Sequence, residues 1–146
     1  MYLDPTDESV RRLFQRDITG PVTMLNLLRF REWADYSAFP DLAPAAPVSG
    51  RQAYGRYIAH TMPFLTAGGG SVQFIGAGGH NLVGPGDERW DLVMLIQQAS
   101  VQDFLDFATN EAYLAGVGHR TAALEDSRLL PVIEAPVASF VVEPPG

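Results

Sequence analysis

The sequence predicts an α+β sandwich, a four-stranded antiparallel sheet with helices on one face, and three observations carry that expectation. Residues 22–30, VTMLNLLRF, and 91–98, DLVMLIQQ, are apolar on both alternating faces, as in strands covered on both sides. Segments near 50–66 and 100–123 place apolar residues at helical spacing, one after each of those strands. Two weaker strand-like runs, near 71–77 and 128–133, are flanked by Gly or contain Pro131. Gly weakens strand interiors and Pro removes a ladder donor, so both runs belong at sheet edges.

Taken in order, Thr6 caps a short helix over residues 7–16, with Val10, Leu13 and Phe14 at helical spacing and Asp7 and Glu8 in its first turn. Gly20-Pro21 stops it. The first strand puts Val22, Met24 and Leu28 on one face and Leu25 and Leu27 on the other. Residues 31–49, with Pro40, Pro44 and Pro47, read as a long loop of the kind that often forms a lid or binding segment. Ser49 then caps a helix whose stripe is Ala53, Tyr54, Tyr57, Ile58, Met62 and Leu65, with Pro63 straining its final turn. The second strand spans 71–77, and GAGGHNLVGPG after it reads as a Gly-rich turn region. Ser100 caps a helix bearing Val101, Phe104, Leu105 and Ala108, and a further helical piece over 111–123 carries Tyr113, His119 and Arg120.

With the doubly apolar strands central and the others at the edges, the sheet order is 4-1-3-2, that of a ferredoxin-like β-α-β-β-α-β sandwich. Helices then cover one face only. The other apolar face must bury against something, and the simplest partner is the same face of a second copy in an isologous homodimer.

At 146 residues the chain is read as a single domain over 1–146, with a helical extension at 1–20 and a tail at 134–146. The absence of Cys excludes disulfides, thiolate metal sites and a Cys nucleophile, and fits a reducing, cytoplasmic setting. No basic-then-apolar leader opens the chain and no run approaches the ~20 apolar residues of a membrane span, so no membrane partner is expected. A net charge of −7 with scattered basic residues excludes nucleic acid as partner.

The strings MLNLLRF at 24–30, SGRQAYGRY at 49–57, WDLVML at 90–95, the Phe104-Leu105 helix, Tyr113, and HRTAALEDSRLLP at 119–131 resemble the longer branch of the DUF1330 family, in the dimeric α+β barrel superfamily. The resemblance runs over roughly residues 22–133. It implies a ferredoxin-like protomer, a sheet-to-sheet dimer and a pocket between sheet and helices. It implies no chemistry. The N-terminal helix and the tail lie outside the pattern, and are expected to cover the pocket or clasp the partner.

Asn26 is polar within an apolar central strand, where a buried amide needs partners, and it is a candidate ligand contact or a tie to a neighbouring loop. Arg29 is a candidate anion clamp or an ion-pair partner of Asp91 or another acid. Arg120 is weighed in the same way, against a structural bridge to Glu111 or Asp126. Tyr57 can orient a ligand through its hydroxyl, and Trp90 can stack on one or fill the start of its strand. Of the three histidines, His80 in the Gly-rich turn is the candidate general acid or base, because imidazole titrates near neutrality. His60, His80 and His119 have no recognised metal spacing, and no metal or cofactor is expected. GAGGH lacks the third Gly and following helix of a dinucleotide fingerprint.

Two functions follow from this reading. One is a cofactor-independent enzyme on a small apolar or aromatic metabolite, as in several barrel-superfamily relatives, with Asn26, His80 and Arg120 acting on the substrate. The alternative is a non-catalytic dimeric protein that holds a small ligand in the same pocket. A haem-handling role, prompted by Asn26 with Trp90, lacks the histidine that would complete it.

Overall fold

The computed structural model describes residues 1–144. The element order is α1 (Asp7–Gln15), β1 (Val22–Phe30), α2 (Gly50–Ala67), β2 (Ser71–His80), β3 (Arg89–Gln98), α3 (Val101–Ala108), α4 (Glu111–Leu114), α5 (Val117–Ala123) and β4 (Leu124–Val132). The four strands form one antiparallel sheet in the order β2-β3-β1-β4, the ferredoxin-like order expected from the sequence. The two doubly apolar strands are the central ones.

On the helix side of the sheet, Leu28, Phe30 and Met94 pack against Ala53 and Tyr54 of α2 and Ala122, Ala123 and Leu124 at the α5–β4 junction. Leu28 and Leu124 are fully buried, and each such side chain contributes roughly 1.5–3 kcal/mol by leaving water. Among the described residues the other face carries no helix. There Phe74 pairs with Leu95, Leu95 with Leu25, and Leu25 with Leu130, so one apolar row crosses all four strands. Phe74 and Leu130 are half exposed in the single chain, and Leu25 and Leu95 only partly buried.

Three boundaries differ from the sequence expectation. β2 continues through Gly76–His80, where a turn was expected, because the glycines serve close approach: a Cβ on Gly78 would lie 2.2 Å from the Trp90 carbonyl oxygen and one on Gly76 2.8 Å from the Phe74 ring. β4 starts at Leu124, well before the expected 128, since α5 runs into it without a loop. A bulge at Glu125 keeps the ladder with Arg29 and Phe30. The helical piece expected over 111–123 breaks at Gly116, whose Cβ would fall 2.2 Å from the His60 ring. α2, by contrast, runs past Pro63 to Ala67.

The 31–49 loop is packed rather than free. Trp33 bridges to Ser49, Phe39 and Leu42 lie against Gly118, and buried Tyr36 brings its hydroxyl to 2.7 Å from His119 Nδ1. Burial, with the Arg56 and His60 charges adding, holds the His119 pKa below its ordinary value. The unfolded chain therefore takes up a proton first on acidification. The stability tied to neutral His119 is complete above about pH 6.5 and is lost as pH falls through the lower folded value. Melts of the wild type and His119→Asn across pH 5–8 should differ in slope below that point; parallel slopes would remove His119 as the source.

Candidate functional site

Between the helix-facing side of the sheet and helices α2, α3 and α4 lies a cavity of about 980 Å³, at the upper end of the range for small-molecule sites. Its floor is Met24, Asn26, Met94, Ile96 and Gln98, and its walls include Tyr54, Tyr57, Ile58, Phe104, Leu105 and Tyr113. Helix α1 closes one side with Val10 and Leu13, while Phe14 points away and is half exposed. A Thr6–Ser9 capping box starts this helix, yet none of its residues is buried. Arg16 Nη1 donates to the Pro131 carbonyl at 2.7 Å, and positive φ angles at Asp17 and Gly20 turn the chain into β1. The N-terminal extension thus covers the pocket, whereas described residues 133–144 of the tail do not line it.

Of the sequence candidates, Asn26, Tyr57 and Arg120 come together on this cavity. Asn26 Nδ2 donates to the Met24 carbonyl at 3.1 Å, which leaves its amide oxygen available. The Tyr57 and Tyr113 hydroxyls are 2.7 Å apart. Burial pushes the Tyr54 and Tyr113 phenols well above the ordinary tyrosine value, so they stay protonated donors and not bases. Arg120 Nη1 donates to the Leu3 carbonyl at 2.6 Å and Nη2 to Ser127 Oγ at 3.3 Å. The bridge to Glu111 or Asp126 weighed from the sequence is absent: among the described residues no carboxylate lies within ion-pairing distance of Arg120. Asp126 instead accepts from the Tyr2 amide, from Arg128 and from the Ser127 amide; burial pushes its carboxyl up, but these bonds together outweigh it and hold it below the usual range.

Arg29, His80 and Trp90 do not join them. Arg29 pairs with Glu125 at 3.2 Å, from the strand face opposite the cavity. His80 is exposed at the far end of β2. Trp90 is buried, with Nε1 donating to Glu88 Oε1 at 3.1 Å and the Arg128 guanidinium 5.1 Å above its ring. The set expected to act on a substrate, Asn26, His80 and Arg120, is therefore corrected to Asn26 and Arg120, because strand extension through Gly76–His80 carries the histidine away, and Trp90 fills its strand rather than stacking in the cavity. His60 Nε2 lies 2.9 Å and 3.1 Å from the Ala112 and Tyr113 carbonyls, outside the lining as is His119. No cluster of three or more metal-ligating side chains occurs among the described residues.

Sequence reasoning missed Thr61, Gln98, Ser127 and Arg128, which also line the cavity. Two of them carried a readable signal. Gln98 is polar at a helix-facing position of a central strand, as Asn26 is, and Thr61 stands in the α2 stripe four residues from both Tyr57 and Leu65.

Fold and cavity together define an α+β protein of ferredoxin-like topology with a large, mostly apolar pocket between sheet and helices. Among the described residues no helix is long and apolar enough to cross a membrane. The chain belongs to the family of RPA0582, a protein of unknown function from Rhodopseudomonas palustris. One RPA0582 crystal structure is 35% identical, with a TM-score of 0.81 and coverage of 92% of this chain and 98% of that one. A crystal structure of methylated RPA0582 is 34% identical, with a TM-score of 0.82 and coverage of 93% and 96%. No protein-family model matches the chain, and no curated protein does.

Proposed function

We propose that this protein is a homodimeric binding protein for an amphipathic organic anion, held in the cavity between sheet and helices. One observation carries the reading: Arg120, half-buried in the cavity wall, has no counter-carboxylate among the described residues. A guanidinium withdrawn from water without an opposite charge is costly, and a ligand carboxylate would complete it. The surrounding charge agrees. In a chain with a net charge of −7, four of its ten basic residues line the cavity, Arg12 paired with Glu8 and Arg128 with Asp126, while Arg16 and Arg120 have no ion-pair partner among the described residues; of the seventeen acids only Asp4 is in the lining.

The lining supports holding over transforming. Among the described residues it contains no histidine and Asp4 is the single carboxylate at its wall, and its buried tyrosines stay protonated. A general base near neutrality would have to come from elsewhere. The apolar row on the open sheet face supports the dimer. The strings that resemble DUF1330 support placing the chain in the longer branch of that family.

Calorimetric titration with dodecanoate and with dodecanol tests the charge. Dodecanoate should bind more tightly by tenfold or more, and Arg120→Gln should remove most of that advantage, about 1.5–3 kcal/mol for a hydrogen bond to a charged group. Equal affinity for acid and alcohol in the wild type would overturn the reading whatever the variant does.

A further inference from the structure

The second polar end of the cavity is unaccounted for by a simple anion. Thr61 and Gln98 line it at 7% and 1% exposure. Thr61 Oγ1 and Gln98 Oε1 are buried without a hydrogen-bond partner among the described residues. Buried polar groups are almost always satisfied, and each orphan costs about 1–3 kcal/mol, so these two atoms await a partner. Helix α2 brings them to the same end of the cavity. Leu65, one turn after Thr61 on α2, lies against Gly70, and a Cβ on Gly70 would meet Leu65 Cδ1 at 2.4 Å and Gln98 Oε1 at 3.1 Å.

That corner is remote from Arg120. Gln98 pairs with Val22 on β1, whereas Ser127, which accepts from Arg120, pairs with Leu28. Six residues of extended strand separate the two pairings, about 20 Å. Between them the floor is Met24, Asn26, Met94 and Ile96.

We propose that the ligand is elongated and two-headed: an anionic group at Arg120, an apolar middle, and a terminal hydroxyl or amide that donates to Gln98 Oε1 and accepts from the Thr61 hydroxyl. This rests on the anion-binding reading above and adds the class of molecule. A hydroxyl fits because it donates and accepts at once, matching a pure acceptor beside a group that does both. A carboxylate at that end would place two acceptors against Gln98 Oε1 and is excluded by the same chemistry.

The test is a matched series of alkanoates and ω-hydroxyalkanoates from decanoate to hexadecanoate, titrated into the full chain by calorimetry. The ω-hydroxyl should raise affinity about fivefold to tenfold at the length that spans the cavity and little at shorter lengths. Gln98→Leu with Thr61→Val should erase that preference. The wild-type series decides even if the double variant does not fold. Plain alkanoates that bind with no ω-hydroxyl advantage at any length would overturn the two-headed ligand and leave the anion site standing. If no member of the series binds to folded protein, both readings fall.

Discussion

Leu95→Asp should convert the proposed homodimer to a monomer or unfold it, with a loss of several kcal/mol, because the charge lands in the middle of an apolar row on the bare face of the sheet. The row runs Phe74, Leu95, Leu25, Leu130 through the pairing register, with no helix of the described residues over it. Packed against its twofold copy, the face would be expected to bury a standard interface of roughly 1,200–2,000 Å² in total. Leu95 lies centrally and is already partly covered by its neighbours, so its replacement costs fold as well as assembly. Leu130→Asp separates the two effects. That side chain is 52% exposed in the single chain, so an aspartate there is harmless to a monomer and harmful only to a sheet-to-sheet dimer. Sedimentation should show Leu130→Asp as a folded species of half the wild-type mass. An unchanged mass, or a wild type that is monomeric at micromolar concentration, would sink the assembly.

The sheet order was legible because periodicity reports burial, and burial on both faces singles out central strands. Val22, Met24 and Leu28 alternate with Leu25 and Leu27 as cleanly in the structure as in the sequence. Composition misled where Gly has two meanings. GAGGH carries the residues of a turn, but Gly78 is there to let the Trp90 carbonyl approach, a contact between strands that no local pattern announces. The same misreading moved His80 from a mobile turn to a strand end and took it out of the site. Arg120 was visible as a candidate, while its partners were not, since Leu3 and Ser127 meet it only through the fold. Thr61 and Gln98 were overlooked because an orphaned atom is a property of its surroundings: the residue type says that a partner is needed, and only the packing says that the protein supplies none.

Gly50→Ala should destabilise the protein, at the upper end of the roughly 1–3 kcal/mol typical of overpacking, although helix propensity alone predicts a gain of about 1 kcal/mol. Gly50 opens α2 directly after its cap Ser49, which accepts from the Gln52 amide. A Cβ there would lie 2.2 Å from the Arg31 carbonyl oxygen, 2.6 Å from that of Ala123 and 2.8 Å from the Arg31 nitrogen. All three are backbone atoms, so no rotamer change relieves them. The same atoms hold the knot together: Gly50 N donates to Arg31 O at 3.1 Å and Arg31 N to Ala123 O at 2.8 Å, joining the exit of β1, the start of α2 and the end of α5. Making room means breaking one of these bonds, one turn from Arg120 and hence at the charged end of the cavity. Gly55, exposed in the same helix with nothing within 4 Å of the place a methyl would take, is the control. Gly55→Ala should stabilise by about 0.5–1 kcal/mol. Urea melts of the two variants should therefore move in opposite directions, and shifts of the same sign would mean that Gly50 is not the point where the three segments lock.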